Sequence, residues 1–318
     1  MQNIKDLFFN RNFILILGLA FGMILGNGVS FLKPMTPYII GLILAISISG
    51  FRFSEFLPLK NSLRPIGFTI LVNYVIYGAV LLGLASLLIS NEAYWMGFIV
   101  IAATPPAIAV IPFSINLKGD AAYSIKGIVG ANLAGIVISP LIMMIFASQA
   151  GVSTMAMLDL ILKILVLPVI LSRVIRYVKP LFRFVDKQRG VLIDYGFLFV
   201  AMTVIGVSRD LLLHNTINAL IPLGIMLFMM FGLGYLIQVI LNAFRIAPPL
   251  IISNKLIMVM KNAGFASVLA LSLFENPHVV LPSAFLSVLL PVYYLIQSNM
   301  NLLSMLKRKQ KRRIAMNA

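Results

Sequence analysis

The chain has 318 residues, 61% of them apolar and 11% charged, with a mean hydropathy of +1.03. Soluble domains are nearer half apolar and a quarter charged, so the composition excludes a soluble globular enzyme, a disordered chain and a secreted disulfide scaffold. The net charge of +16 would point to nucleic acid in a soluble protein. In a chain this apolar its distribution matters more than its sum, and no nucleic-acid partner is expected.

Ten apolar stretches follow one another, near 13–30, 36–51, 66–90, 95–116, 121–147, 157–176, 191–208, 217–243, 249–274 and 277–300. About 20 residues of helix cross a bilayer, so the pattern predicts an all-α polytopic membrane protein with ten transmembrane helices. The first stretch follows Lys5 and Arg11 like a signal peptide. It lacks a small-residue cleavage site and nine more stretches come after it, so it reads as a retained first helix.

The loop charges orient the bundle. Lys5, Arg11, Arg52, Lys60, Arg64, Lys118, Arg173, Arg176, Lys179, Arg183, Lys187, Arg189 and Arg245 fall on one side, with Lys307, Arg308, Lys309, Lys311, Arg312 and Arg313 of the tail. Only Lys33 and Arg209 fall on the other. By the positive-inside rule both termini are cytoplasmic and the membrane is the cytoplasmic (inner) one. The lipid bilayer is the first partner, and the basic tail 301–318 anchors the topology at its surface.

The basic connection 177–190 divides the chain. Corresponding stretches in the two sets of five are offset by a similar distance. An odd number of spans per set inverts the second set relative to the first, an arrangement known in secondary transporters. The expected organisation is a first five-helix repeat plus helix 6 over 1–176, the connection 177–190, helices 7–10 over 191–300 and the tail.

The fourth stretch of each half carries the backbone interruptions. One reads Ala103-Thr104-Pro105-Pro106-Ala107-Ile108-Ala109-Val110-Ile111-Pro112-Phe113, and the other Lys261-Asn262-Ala263-Gly264. Three prolines in eight residues remove donors and clash with preceding carbonyls, while Asn and Gly are poor helix formers. Matched interruptions in two halves are the best sequence pointer to a transport site. The reading is that helices 4 and 9 are broken.

Lys261 is the strongest single clue, lying near the middle of its stretch, beyond the reach of either surface by snorkelling. Such a cation must face a cavity, pair with an anion or lose its proton. Four other charges are weaker clues. Lys163, four residues after Asp159, forms a helical pair; Asp194 and Lys255 sit near cytoplasmic ends and reach headgroups. Lys126, inside the fifth stretch, is ambiguous. Asn73, Ser124 and Asn132 are polar positions that ordinarily bond helix to helix.

These two segments resemble the bile acid–sodium symporter family. The matching residues are Thr104-Pro105-Pro106 through Ser114, the turn Lys118-Gly119-Asp120, the pair Tyr123-Ser124 and the run Ile257 to Phe265, closest at Asn262-Ala263-Gly264-Phe265. Ala270-Leu271-Ser272-Leu273-Phe274 and Leu281-Pro282-Ser283-Ala284 are also similar. The resemblance implies two inverted five-helix repeats, with helices 4 and 9 crossing. It implies a panel domain of helices 1, 2, 6 and 7 and a core domain of helices 3–5 and 8–10. It also implies alternating access and a small organic anion as cargo, such as a bile acid or keto acid.

The departures from that family are informative. Its span-four Ser-Asn pair is replaced by Val110-Ile111, its span-nine glutamate by Ile257 and glutamine by Lys261. A threonine is replaced by Ile128, and Asn73 stands for a glutamine. Losing a carboxylate and neutral oxygens while gaining an ammonium makes a sodium partner unexpected. The Lys261 ammonium then takes the place of the cation, bridging crossed helix ends, or carries a proton. The site candidates for substrate binding or coupling are Lys261, Asn262, Asn73, Thr104, Pro105, Pro106, Pro112, Ser114, Ser124 and Gly264.

No catalytic residue, cofactor or metal site is expected. There are no cysteines, His214 and His278 sit in outer loops, and no nucleophile–base or metal pattern occurs. The lack of cysteine also argues against the arsenite exporters of related fold. The competing readings are an auxin-carrier-like exporter, a sodium-coupled symporter with relocated sites, and a non-transporting receptor or scaffold.

Overall fold

A computed structural model describes residues 10–52, 54, 57–146, 154–214 and 216–317. Lys5, and the side chains of Arg11, His214 and the tail, lie outside the described parts. Among the described residues, six helices are long and apolar enough to cross a membrane: Phe13–Ser49, Lys60–Leu88, Ala121–Phe146, Lys179–Leu213, Ala219–Ala243 and Pro277–Met300. The chain is a multi-pass membrane protein.

The first of these is two helices, α1 (Arg11–Leu25) and α2 (Thr36–Ser49), joined by a 3-10 stretch Gly26–Met35. The turn begins at Gly26, whose φ of 53° suits glycine. Helix α3 (Lys60–Leu88) widens to π geometry over Leu71–Ile76. Next come α4 (Glu92–Ala103), the short α5 (Val110–Asn116) and the long α6 (Ala121–Phe146). Helix α4 starts where the Asn91 side chain accepts the amides of Ala93 and Tyr94 at 2.9 and 3.1 Å.

In the second half, α7 (154–177) has a π turn at Leu162–Val166 and α8 spans Lys179–His214. Helix α9 (216–243) has a π turn at Phe228–Gly232. Helices α10 (Pro248–Val259) and α11 (Ala263–Leu273) follow, and then α12 (Leu281–Asn317). The proline pair Pro248-Pro249 starts α10, where missing amides cost nothing.

Two groups of helices pack side by side. Helix α8 runs along α1, and α2 lies against α7 and α8. Small residues permit the α1–α8 approach: a Cβ on Gly18 would stand 2.8 Å from the Leu198 carbonyl oxygen, and one on Gly22 2.7 Å from that of Met202. The other group joins α3 to α6, α4 to α3 and α6, α10 to α9, and α12 to α4, α9 and α11.

Three features differ from the sequence expectation. The connection 177–190 is helical, forming the start of α8 after a bend at Val178, where the backbone is extended. The basic residues in and just before it also do more than orient the chain. Arg173, Arg176 and Arg189 donate to the carbonyls of Ile48, Ser49 and Ile46. They cap the partly negative end of α2.

The expected headgroup contact of Asp194 is also corrected. Asp194 is 7% exposed, and the Lys255 ammonium donates to Gln238 and Gln297 at 2.9 Å each. Inside a bundle, a charge is costly unless it is paired and hydrogen-bonded. Lys163 pairs with Asp159 at 2.6 Å, as the spacing predicts.

Candidate functional site: two broken helices paired at their breaks

The break after α4 follows from its prolines. Thr104 precedes Pro105 and is extended, with φ −78° and ψ 148°, because a following proline ring crowds the helical conformation. Pro105 and Pro106 have no N–H. In a continuous helix residue 106 would donate to the carbonyl of Ala102, so Pro106 leaves that oxygen without its helical partner.

The second break sits against the first. The amide of Ala107 donates to the carbonyl of Met260 at 2.8 Å, and the amide of Asn262 to that of Pro105 at 3.0 Å. Pro106 and Lys261 therefore face each other as a short antiparallel bridge. The segment after α10 cannot continue as helix while its backbone serves the other chain segment.

Polar side chains satisfy the carbonyls that the breaks release. Lys261 is fully buried, and its ammonium donates to the carbonyls of Ala102 at 3.0 Å and Thr104 at 2.7 Å. These are the last carbonyls of α4, where the helix dipole is partly negative. The ring faces of Tyr74 and Tyr77 stand 4.8 and 5.3 Å from the same nitrogen, so π-electrons complete its shell. Asn132 donates to Pro106 at 3.1 Å and Ile128 at 2.9 Å. Asn73 donates to the carbonyl of Ile257, in the last turn of α10, at 3.1 Å. The ammonium thus has oxygen and ring partners, and among the described residues no carboxylate bonds to it.

Asn262 ends the second break. Its side-chain oxygen accepts the amide of Phe265 at 3.1 Å and caps α11. Asn262, Ala263 and Gly264 line a cleft of about 740 Å³ together with Ala107 and Met260. Leu19 of α1, Phe197 of α8 and Ser287 of α12 form its other walls. The cleft is mainly apolar, and the positive end of α11 borders it. Gly264 brings α11 close to the facing helices: a Cβ there would lie 3.0 Å from Ile40 and 3.3 Å from Phe197.

The ten predicted site residues fall in four places. Lys261, Asn73, Thr104, Pro105 and Pro106 gather at the paired breaks. Asn262 and Gly264 line the cleft. Ser114 and Ser124 belong elsewhere, in a buried hydroxyl cluster with Ser253: Ser114 is 2.9 Å from each of the other two. Ser253 accepts the amide of Asp120 at 2.9 Å. This cluster ties α5, α6 and α10 beside the 117–120 turn. Pro112 is exposed on α5.

Tyr74 and Tyr77 are neighbours of Lys261 that the sequence reading missed, and Asn132 was read only as a helix-to-helix polar position. The tyrosines lie one turn apart on α3, as aromatic residues do in many apolar helices, so only their contact with Lys261 reveals the role. With that geometry in view, the SBF-like CPA transporter family matches residues 9–300 of the chain. Comparison with curated protein sequences finds no match.

Proposed function

Because the chain belongs to the SBF-like CPA transporter family, a family related to the bile acid–sodium symporters, we propose that this membrane transporter moves small organic anions by alternating access without sodium. In this reading the Lys261 ammonium is a built-in cation. It stands at the released carbonyls of α4, where a sodium-coupled relative of this plan would recruit an ion. The observation that carries the reading is the pair of bonds from Lys261 to Ala102 and Thr104.

Several features support the wider architecture. The paired positions Thr104 and Lys261 are 157 residues apart, and the π turns of α3 and α9 begin at Leu71 and Phe228, the same offset. That repetition fits two inverted repeats. The group α1, α2, α7 and α8 corresponds to a panel, and the remaining helices to a core. The cleft between them borders the α11 dipole, whose positive end favours an anion. Its apolar walls suit the hydrocarbon part of a carboxylate. Lys261 does not line the cleft, so it acts on cargo through the field and the shape of the break, not by contact.

The test is uptake of a labelled bile acid and a labelled 2-keto acid by the purified chain in liposomes, with sodium or choline outside. The reading predicts equal uptake in both salts and its loss in Lys261→Ala. Uptake by Lys261→Ala at the wild-type rate would overturn the role of the lysine, and uptake only in sodium would overturn the coupling.

A further inference from the structure

A second cavity, of about 810 Å³, opens between α9, α10 and α12. Leu117, Asn242, Lys255, Gln238, Gln297 and Met300 are among its lining residues. It shares no residue with the cleft. Lys255 is the eighth residue of α10, so it sits roughly 10 Å along the helix from its start. Asn242 near the end of α9 and Pro248 at the start of α10 also line it, beside the turn at 117–120, where the amide of Asp120 donates to the Pro249 carbonyl. By the distribution of loop charge this is the cytoplasmic end.

Its hydrogen-bonding inventory is unbalanced towards donors. The Lys255 ammonium has three donors and uses two of them on the side-chain oxygens of Gln238 and Gln297. Both glutamines thereby spend their acceptors on the lysine. Among the described residues neither side-chain amide nitrogen has an acceptor, and no carboxylate lines the cavity. One ammonium donor and two amide groups remain, around a net positive charge. Such a set is complementary to a phosphate oxygen cluster.

The surroundings decide the source of that phosphate. Tyr235, Val239 and Ile240, on the same helix as Gln238, are exposed, as is Met300 beside Gln297. In a membrane protein these apolar faces meet acyl chains. We propose that this cavity binds the phosphate of an anionic phospholipid, with Lys255, Gln238 and Gln297 around the headgroup and the chains lying on α9 and α12. Basic pockets between helices at a cytoplasmic surface are suited to such headgroups.

Thermal unfolding of the purified chain in detergent, titrated with phosphatidylglycerol, phosphatidylcholine or inorganic phosphate, tests the assignment. Phosphatidylglycerol raises the melting temperature saturably, while phosphatidylcholine and inorganic phosphate do not. Lys255→Gln, which keeps a polar side chain, weakens the phosphatidylglycerol midpoint by about tenfold or more, the worth of one hydrogen bond to a charged group. Lys255→Arg retains it. The basic tail is unchanged in both variants, so its own lipid attraction cancels in the comparison. An unaltered midpoint in Lys255→Gln overturns the site, and an equal shift from inorganic phosphate overturns the lipid as its occupant.

Discussion

Replacing Lys261 by alanine should abolish transport, and n-propylammonium should restore part of it. Alanine keeps the Cβ, and the atoms removed correspond to propylammonium. The lost ammonium makes hydrogen bonds of 2.7 and 3.0 Å to two buried carbonyls, each of about 1.5–3 kcal/mol for a charged donor. Two aromatic faces add to this, by about 2 kcal/mol where water is excluded. Desolvation of the lysine opposes these terms by several kcal/mol. What is left after truncation is a void with two unpartnered carbonyls, and each stranded buried acceptor costs about 1–3 kcal/mol. A shift of about 3 kcal/mol away from the intact crossing is roughly a hundredfold in population. Uptake by Lys261→Ala in liposomes should therefore fall to background and recover in part with millimolar propylammonium. Propanol, of similar shape but neutral, should not restore it. Equal rescue by propanol would refute the argument from charge, and wild-type uptake without any additive would refute the argument from the crossing.

Three further outcomes follow from the same geometry. Asn132→Leu leaves the Pro106 carbonyl without its donor and should destabilise the chain by about 1–3 kcal/mol in a detergent unfolding assay. Gly119→Ala should lower the melting temperature and Gly67→Ala should not. A Cβ on Gly119 would stand 2.3 Å from the Ser114 hydroxyl, while Gly67 has nothing within 4 Å. Gly264→Val should slow uptake with little loss of fold, because its added atoms press on Ile40 and Phe197 across the cleft. Unchanged uptake by a folded Gly264→Val would count against movement at that contact.

The membrane class and the positions of the interruptions were legible because they are local. A proline run states its own consequence within a few residues, and Lys261 stands out because a charge in an apolar stretch demands a partner. The kind of partner, a crossed helix end, followed only from the family resemblance, and the particular carbonyls were not legible. Ala102 and Thr104 lie more than 150 residues away in sequence and contribute main-chain oxygens, which carry no signature of residue type. Ser114 was a candidate as the end of the broken stretch and Ser124 through the family resemblance. Ser124 bonds Ser114, which bonds Ser253 of α10, a residue the sequence reading did not single out. The helical start of α8 was hidden by its basic composition, which reads as a loop when apolar length defines the elements. The π turns at Leu71–Ile76 and Phe228–Gly232 were hidden too, since one extra residue per turn leaves no mark on an apolar pattern.

In the proposed function a lysine holds the place of the coupling cation. Unfolding of the purified protein in detergent, with sodium exchanged for choline at constant ionic strength, tests it most directly. A ligand at ten times its Kd stabilises by about 1.4 kcal/mol, a shift that a melting curve resolves. The same melting temperature is expected in both salts. A saturable rise specific to sodium would contradict it.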